Sequence, residues 1–350
     1  MMTDCFKFFL ATVSVAFAIC VFGGCDAFKT LDGMVDLRKV SDRKASMREF
    51  YDRIEVVCLD NVPENTASAP VLSGLSVTGD RFFFQQGDRA ILSYRQDGRF
   101  ADSLNPGVPI KAYAVHVERI LDILSGKEVY EYRIPGFSFQ QKMILEPDDP
   151  EDSDAIPVNL IRLPGGRMMM FPVYKGNKDY WGTYYFDSNK YYVAPGIKGE
   201  ATECVAEKVR LIRYGDSALA LFPYSGQLWE LGDFIGHFLW PDFKPGKRDT
   251  LEFLFAQVTD EKVYYSILLN GAQHLLIFNR ADRKYVCVRT TREGLSLPLG
   301  VIRDGINYYY CPSADLPRYV ARDLLDSDSI AAMDRAVKGG LNVMIKYHLR

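Results

Sequence analysis

Tyr264-Tyr265-Ser266-Ile267-Leu268-Leu269-Asn270-Gly271-Ala272-Gln273-His274-Leu275-Leu276-Ile277-Phe278 is two apolar runs joined at Asn-Gly. Asn and Gly accept the positive φ that a tight hairpin turn requires, so this stretch predicts two antiparallel strands. A further turn over 279–283 leads into Tyr285-Val286-Cys287-Val288, a third strand. The unit is strand, short polar turn, strand.

The same unit recurs on both sides. Ala90-Ile91-Leu92-Ser93-Tyr94 leads to Asp97-Gly98, and Ile120-Leu121-Asp122-Ile123-Leu124 turns at Ser125-Gly126 into Glu128-Val129-Tyr130-Glu131-Tyr132. Residues 181–186 turn at Asp187-Ser188-Asn189, residues 219–224 at Ser225-Gly226, and Ile302 reaches Tyr308-Tyr309-Tyr310 through Asp304-Gly305. Hairpins therefore dominate from 54 to 311, the signal of an antiparallel all-β chain. Composition agrees: 48% hydrophobic residues with 21 Tyr and 22 Phe supply a sizeable core of side chains that pack well in strands. Comparable late hairpins recur at roughly forty to fifty-five residues, the spacing of four-stranded propeller blades. A single sandwich would be overfilled by this length, whereas a propeller absorbs it by adding blades around an axis. The expectation is a β-propeller of six blades over 53–350.

The N-terminus reads as an export signal, 1–24. Lys7 precedes an apolar run broken only by Thr12 and Ser14, and Gly23-Gly24 stand before Cys25. The run is shorter than the roughly 20 apolar residues that span a bilayer. Phe22-Gly23-Gly24-Cys25 resembles a lipobox, which makes Cys25 the expected lipidation site. Residues 25–52 are mostly polar and read as a tether, with Ser41-Asp42-Arg43 able to open a short helix. Four cysteines remain, Cys58, Cys204, Cys287 and Cys311, far apart and without a Cys/His cluster, so a zinc site has no support. They suit one or two disulfides, or buried thiols.

Taken together, these features resemble the six-bladed β-propeller lipoproteins abundant in Bacteroides-type bacteria, over 54–350. The resemblance rests on the Cys-terminated signal, the opening strand Arg53-Ile54-Glu55-Val56-Val57-Cys58-Leu59, and the hairpin Leu92-Ser93-Tyr94-Arg95-Gln96-Asp97-Gly98-Arg99-Phe100. It rests also on 297–305 and on the ending Leu341-Asn342-Val343-Met344-Ile345-Lys346-Tyr347-His348-Leu349-Arg350. It implies that the last strand pairs with the first to close the ring. The glycine-rich stretch usual after the first blade is reduced here to Asn105-Pro106-Gly107, and the second blade is irregular. No catalytic residues carry over. A short helix is expected after Asp328, with Ile330, Met333 and Val337 on the face that docks on the propeller and Gly339-Gly340 at its end.

Candidate chemistry is sparse. A net charge of −3 with scattered basic residues excludes a field that would gather nucleic acid. The acidic run from Glu146 to Asp154 carries two prolines and no Gly, which does not fit a calcium loop, so it reads as a solvated loop between blades. His116, His237, His274 and His348 are isolated in sequence and read as structural. The aromatic candidates for stacking on a sugar or peptide are Tyr180-Trp181, Tyr184-Tyr185, Phe238 to Trp240 and Tyr308-Tyr309-Tyr310, foremost Trp181 and Trp240, each beside a loop signal; the competing reading of all of them is interblade packing. No cofactor or metal is expected. The expected function is a binding or scaffold module of the cell envelope, anchored by lipid to a membrane, in the outer membrane, with a glycan, peptide or protein as partner. The alternative is a polysaccharide hydrolase or lyase, which needs two carboxylates facing each other at the central channel.

Overall fold

The computed structural model describes residues 34–35, 41–42, 44–61, 72–116, 119–147, 150, 156–163, 168–175, 178–185, 190–194, 209–231, 236–239, 242–243 and 250–350. For 34–35, 41–42, 147, 168–175, 178–185, 190–194, 236–237 and 242–243 this is the backbone alone. The chain is an all-β propeller, with one short α-helix among the described residues, near the C-terminus.

Five sheets are meanders of four antiparallel strands. The first blade runs Leu72–Val77, Arg81–Gln86, Ala90–Arg95, Phe100–Leu104, and the second Ala112–His116, Ile120–Ser125, Glu128–Arg133, Ser138–Ile144. The third is Arg210–Tyr214, Ser217–Leu221, Leu228–Leu231, Gly236–Leu239, and the fourth Leu251–Val258, Lys262–Leu269, Ala272–Asn279, Lys284–Val288. The closing blade takes Val301–Arg303, Ile306–Pro312 and Asn342–Leu349 from the end of the chain and Tyr51–Cys58 from its beginning. The turn that opened the reading behaves as its residues require: Asn270 and Gly271 have φ of 53° and 78°.

Six blades were expected, and among the described residues five are observed. Between the second and third, the chain builds a sheet of another kind. Met168–Lys175, Lys178–Tyr185 and Lys190–Ala194 form a meander. One side of it is broken into two pieces, Ile156–Pro157 and Leu160–Arg162, and the other carries a two-residue parallel strand, Glu146–Pro147. Proline accounts for the break, because Pro157 has no N–H with which to continue the ladder. Leu160–Arg162 nevertheless packs between the first strands of the second and third blades.

The core is a series of wedges between neighbouring blades. Phe82, Phe84 and Tyr94 of the first blade meet Tyr308 and Met344 of the closing blade, and Phe83 and Ile91 meet Leu121, Ile123 and Tyr132 of the second. Closure occurs as expected: Ile345 pairs with Val56 and Tyr347 with Ile54. Val343, Met344, Ile345 and Tyr347 are fully buried, so the last strand is covered on both faces and not on the alternating one alone. Gly98 seals the join between first and closing blades. Its φ is +86°, and a Cβ there would lie 1.9 Å from the Cys58 carbonyl oxygen, so only glycine fits.

The helix spans Ser327–Gly339 and is capped by Asp326, whose Oδ1 accepts from Ser329 N at 2.7 Å, rather than by Asp328. Its buried face is Ser329, Ala332, Met333 and Ala336, while Ile330 and Val337 are exposed. Small residues win that face because the helix lies directly on Tyr51–Cys58: Val56 N donates to Ser329 Oγ at 3.2 Å, and Cys58 Sγ to the Ala332 carbonyl at 3.0 Å. Ser41–Asp42 pairs with Val286 and Cys287 instead of opening a helix, and the short 3-10 turn is Met47–Glu49, capped by Ser46. Ala45 and Met47 at the end of the expected tether are fully buried, so this stretch joins the core. Cys58, Cys287 and Cys311 are not in disulfides, and burial pushes the Cys311 thiol up to about 12. Cys204 lies outside the described residues.

Candidate ligand-binding site

The first strand of each blade begins at one face of the ring and ends at the other. Where the first strands begin, a cavity of about 470 Å³ opens over the central channel. It is bounded by Ser73, Gly74, Leu75, Ser76 and Gln85 of the first blade and by Lys111, Ala112 and Tyr113 of the second. Val158 and Asn159 of the broken sheet and Val209 and Arg210 of the third blade complete it. That volume falls within the roughly 300–1,000 Å³ of small-molecule sites.

Hydrogen bonds hold these side chains. The Tyr113 hydroxyl meets the carbonyls of Gly74 and of Phe83, the latter at 2.9 Å, bridging the two blades. Burial holds this phenol well above its ordinary pKa, so it stays protonated. Gln85 Nε2 donates to the Gly87 carbonyl at 2.8 Å and the Ile110 carbonyl at 3.1 Å. Asn159 Oδ1 accepts from Leu160 N at 2.9 Å, which orients its amide. The mouth thus presents hydroxyls, carboxamides, two cationic side chains and a few small apolar ones. Among the described residues its lining contains no Asp or Glu.

Carboxylates do gather behind this wall, in a structural role. Arg162 Nε lies 2.7 Å from Asp122 Oδ2, and its Nη2 2.8 Å from Asp122 Oδ1 and 2.7 Å from Glu131 Oε2. Asp122 is fully buried on the second blade, and its carboxyl is pushed up to about 7 by burial, with Glu131 raising it further and Arg162 pulling it down. This cluster ties the broken sheet to the second blade. It is not the open pair that glycoside hydrolysis requires.

Trp181 sits opposite Ala194 within Lys178–Tyr185, away from the strand's ends, and its side chain is outside the described residues. Trp240 and Cys25 are outside them as well, as are residues 148–149 and 151–154 of the acidic run. Tyr308, Tyr309 and Tyr310 are packing residues, with ring centroids 5.8 Å from Phe82, 5.1 Å from Tyr319 and 5.1 Å from Phe84 respectively. His348 lies 3.0 Å from Glu55 at the ring closure. The residues at the mouth, Ser73, Gln85, Tyr113 and Asn159, carried one weak signal in the sequence: Ser73 and Tyr113 are the second residues of their strands and Asn159 immediately precedes one.

No protein-family model matches the chain, and no curated protein matches it. Among solved structures it is similar to a protein of Bacteroides fragilis inferred to be exported. The two share 10% identity and a TM-score of 0.63, over 85% of this chain and 95% of that one. This likeness shows a shared fold. The chain also aligns with virginiamycin B lyase from Staphylococcus aureus at 11% identity and a TM-score of 0.45, over 69% of this chain and 77% of that one. A third alignment is with PorZ, a surface component of the type-IX secretion system of Porphyromonas gingivalis, at 12% identity and a TM-score of 0.40, over 69% of this chain and 30% of that one. Among the described residues no helix is long and apolar enough to cross a membrane.

Proposed function

We propose that the protein is an exported, lipid-anchored binding module of the cell envelope, in the outer membrane, which takes a glycan at the channel mouth. The observation that carries this reading is the mouth itself: a cavity of about 470 Å³ assembled from four sheets, rich in hydroxyl and amide groups and without a carboxylate among its described residues. Ligands crowded with hydroxyls match such a wall, and fixed polar groups supply orientation. The hydrolase alternative needs facing carboxylates, and the described lining supplies none. The export signal, the Gly23-Gly24-Cys25 sequence and the fold shared with a protein inferred to be exported support the envelope location.

Binding is tested on an array of glycans and extended peptides. Asn159→Ala removes a placed amide, and Ser73→Trp fills an exposed position at the rim. Each is expected to weaken the best-retained glycan about tenfold or more, the loss of roughly 1.4 kcal/mol or above, without moving the melting temperature. Ligands retained equally by both variants, or only peptides retained, would sink the glycan reading.

The anchor has its own test. Acyl chains contribute about 0.8 kcal/mol per buried CH₂, so multiple acylation of Cys25 would hold the protein on a membrane. Cys25→Ser is expected to abolish metabolic labelling by a fatty acid and release the protein from membranes. Labelling unchanged by the substitution would overturn the claim.

A further inference from the structure

We infer that a second cavity, on the face opposite the channel mouth, binds a tetrahedral oxyanion, the sulfate or phosphate group of a small ligand, through Arg81, Arg119 and Arg303. This cavity measures about 250 Å³ and lies where first strands end. Leu72–Val77 runs into Thr78, Ala112–His116 ends on His116, and Val301–Arg303 ends on Arg303. The three arginines therefore come from three successive sheets of the ring, the closing, first and second blades. Only the assembled ring brings them to one hole.

Two of the guanidinium groups are held from behind. Arg81 Nη1 donates to Ser93 Oγ at 3.1 Å, and the Arg81 side chain is 18% exposed. Arg303 Nη1 donates across the blade boundary to the Val77 carbonyl at 2.9 Å. Arg119 occupies the left-handed region, φ +64°, which non-glycine residues seldom adopt. Two backbone bonds fix it there: Arg119 N to the His116 carbonyl at 3.1 Å, and Ile134 N to the Arg119 carbonyl at 2.8 Å. The guanidinium groups of Arg81 and Arg303, already held, lose little freedom on meeting an oxyanion, and the planar fork of an arginine suits bidentate contact with one.

The charge balance favours an anion. Among the described residues the lining sets three arginines against Asp80, which is 65% exposed and 3.8 Å from Arg81 Nε. Asp304, 3.2 Å from Arg303 Nε, is 81% exposed, so water screens both carboxylates. His116, 2% exposed, forms part of the buried wall. The volume falls below the range of sites that enclose a whole drug-sized ligand, so the cavity suits a charged group and little more.

The test titrates the full chain with inorganic sulfate and with inorganic phosphate, at ionic strength held constant with chloride, by calorimetry. Saturable binding is expected. Arg119→Gln should weaken it about tenfold, as loss of a hydrogen bond to a charged group does. Arg303→Lys, which keeps the charge and removes the fork, should also weaken it. Arg99→Gln, on an exposed arginine of the first blade outside the cavity, should change nothing. N-acetylglucosamine 6-sulfate and 6-phosphate separate the two sources, since the ester that binds more tightly than its free anion names the group. No saturable binding of either anion, or an unchanged affinity in Arg119→Gln, would overturn the proposal. Binding of the free anion while both esters fail would mean an adventitious ion only, and would overturn it too.

Discussion

Deleting residues 341–350 is expected to abolish cooperative unfolding of the protein. The segment holds Asn342–Leu349, which lies between Ile306–Pro312 and Tyr51–Cys58, so its loss empties the middle of the closing blade and does not merely trim an edge. Val343, Met344, Ile345 and Tyr347 are all fully buried. The Tyr347 hydroxyl donates to the Tyr319 carbonyl at 2.9 Å, its ring centroid lies 4.7 Å from that of Tyr51, and Lys346 Nζ donates to the Gln96 carbonyl at 3.0 Å. Truncating one such core side chain costs about 2–5 kcal/mol, and a domain's whole stability is about 5–15 kcal/mol. Removing four, about 8–20 kcal/mol on that scale, is enough to exhaust that reserve, and Tyr51–Cys58 is left without its partner. Thermal melting with and without the segment checks this; a truncated chain that melts within a degree or two of the full one would show that the terminal strands do not close the ring.

Arg162→Met is expected to destabilise the fold by about 3–5 kcal/mol, the cost of leaving buried carboxylates without their counter-charge. The size of the loss should depend on pH, in a direction set by Asp122. With Arg162 in place, burial already raises this carboxyl to about 7. Removing the cation deletes the influence that lowers it and leaves burial and Glu131, both of which raise it further. A folded-state pKa above the unfolded value of about 3.9 means that the folded state binds more protons between the two, so stability falls as pH rises through that window. The variant's window extends higher than the parent's. The gap between them should therefore widen from pH 6 to pH 9, at up to about 1.4 kcal/mol per unit above 7. Urea unfolding at the two pH values measures it. A gap that is the same at both would show that Asp122 does not titrate in the cluster. In Arg162→Met/Asp122→Leu, part of the loss should return, because replacing a buried pair by apolar groups is far less costly than orphaning one member.

Strands and turns were readable because their causes are local. Asn270-Gly271 specifies a hairpin by the φ values its residues accept, and the alternating ending at 341–350 specifies a strand by period. The helix shows where local reading stops. An apolar stripe through Ile330, Met333 and Val337 satisfied the periodicity, yet the face against Tyr51–Cys58 is Ser329, Ala332, Met333 and Ala336. Closeness of approach decided it, and small side chains permit an approach that a branched one does not. Likewise, Pro157 interrupts pairing in the sheet between the second and third blades, and the regular fifty-residue spacing passes over it.

Chain order alone therefore determined that this protein is all-β and built of hairpin meanders, since turn chemistry and hydrophobic period act over a few residues; that its two terminal strands close the ring was implied by the family resemblance, and the pairing itself is tertiary. Its cavities belong to the tertiary structure. Tyr113 reaches the Gly74 carbonyl across a blade boundary, Arg162 meets Asp122 forty positions away, and Arg303 stands beside Arg81 and Arg119 only once the ring is closed. Residues so distant in sequence share a wall because first strands converge on one axis, and nothing in the local pattern of any strand records which neighbours that axis will bring to it.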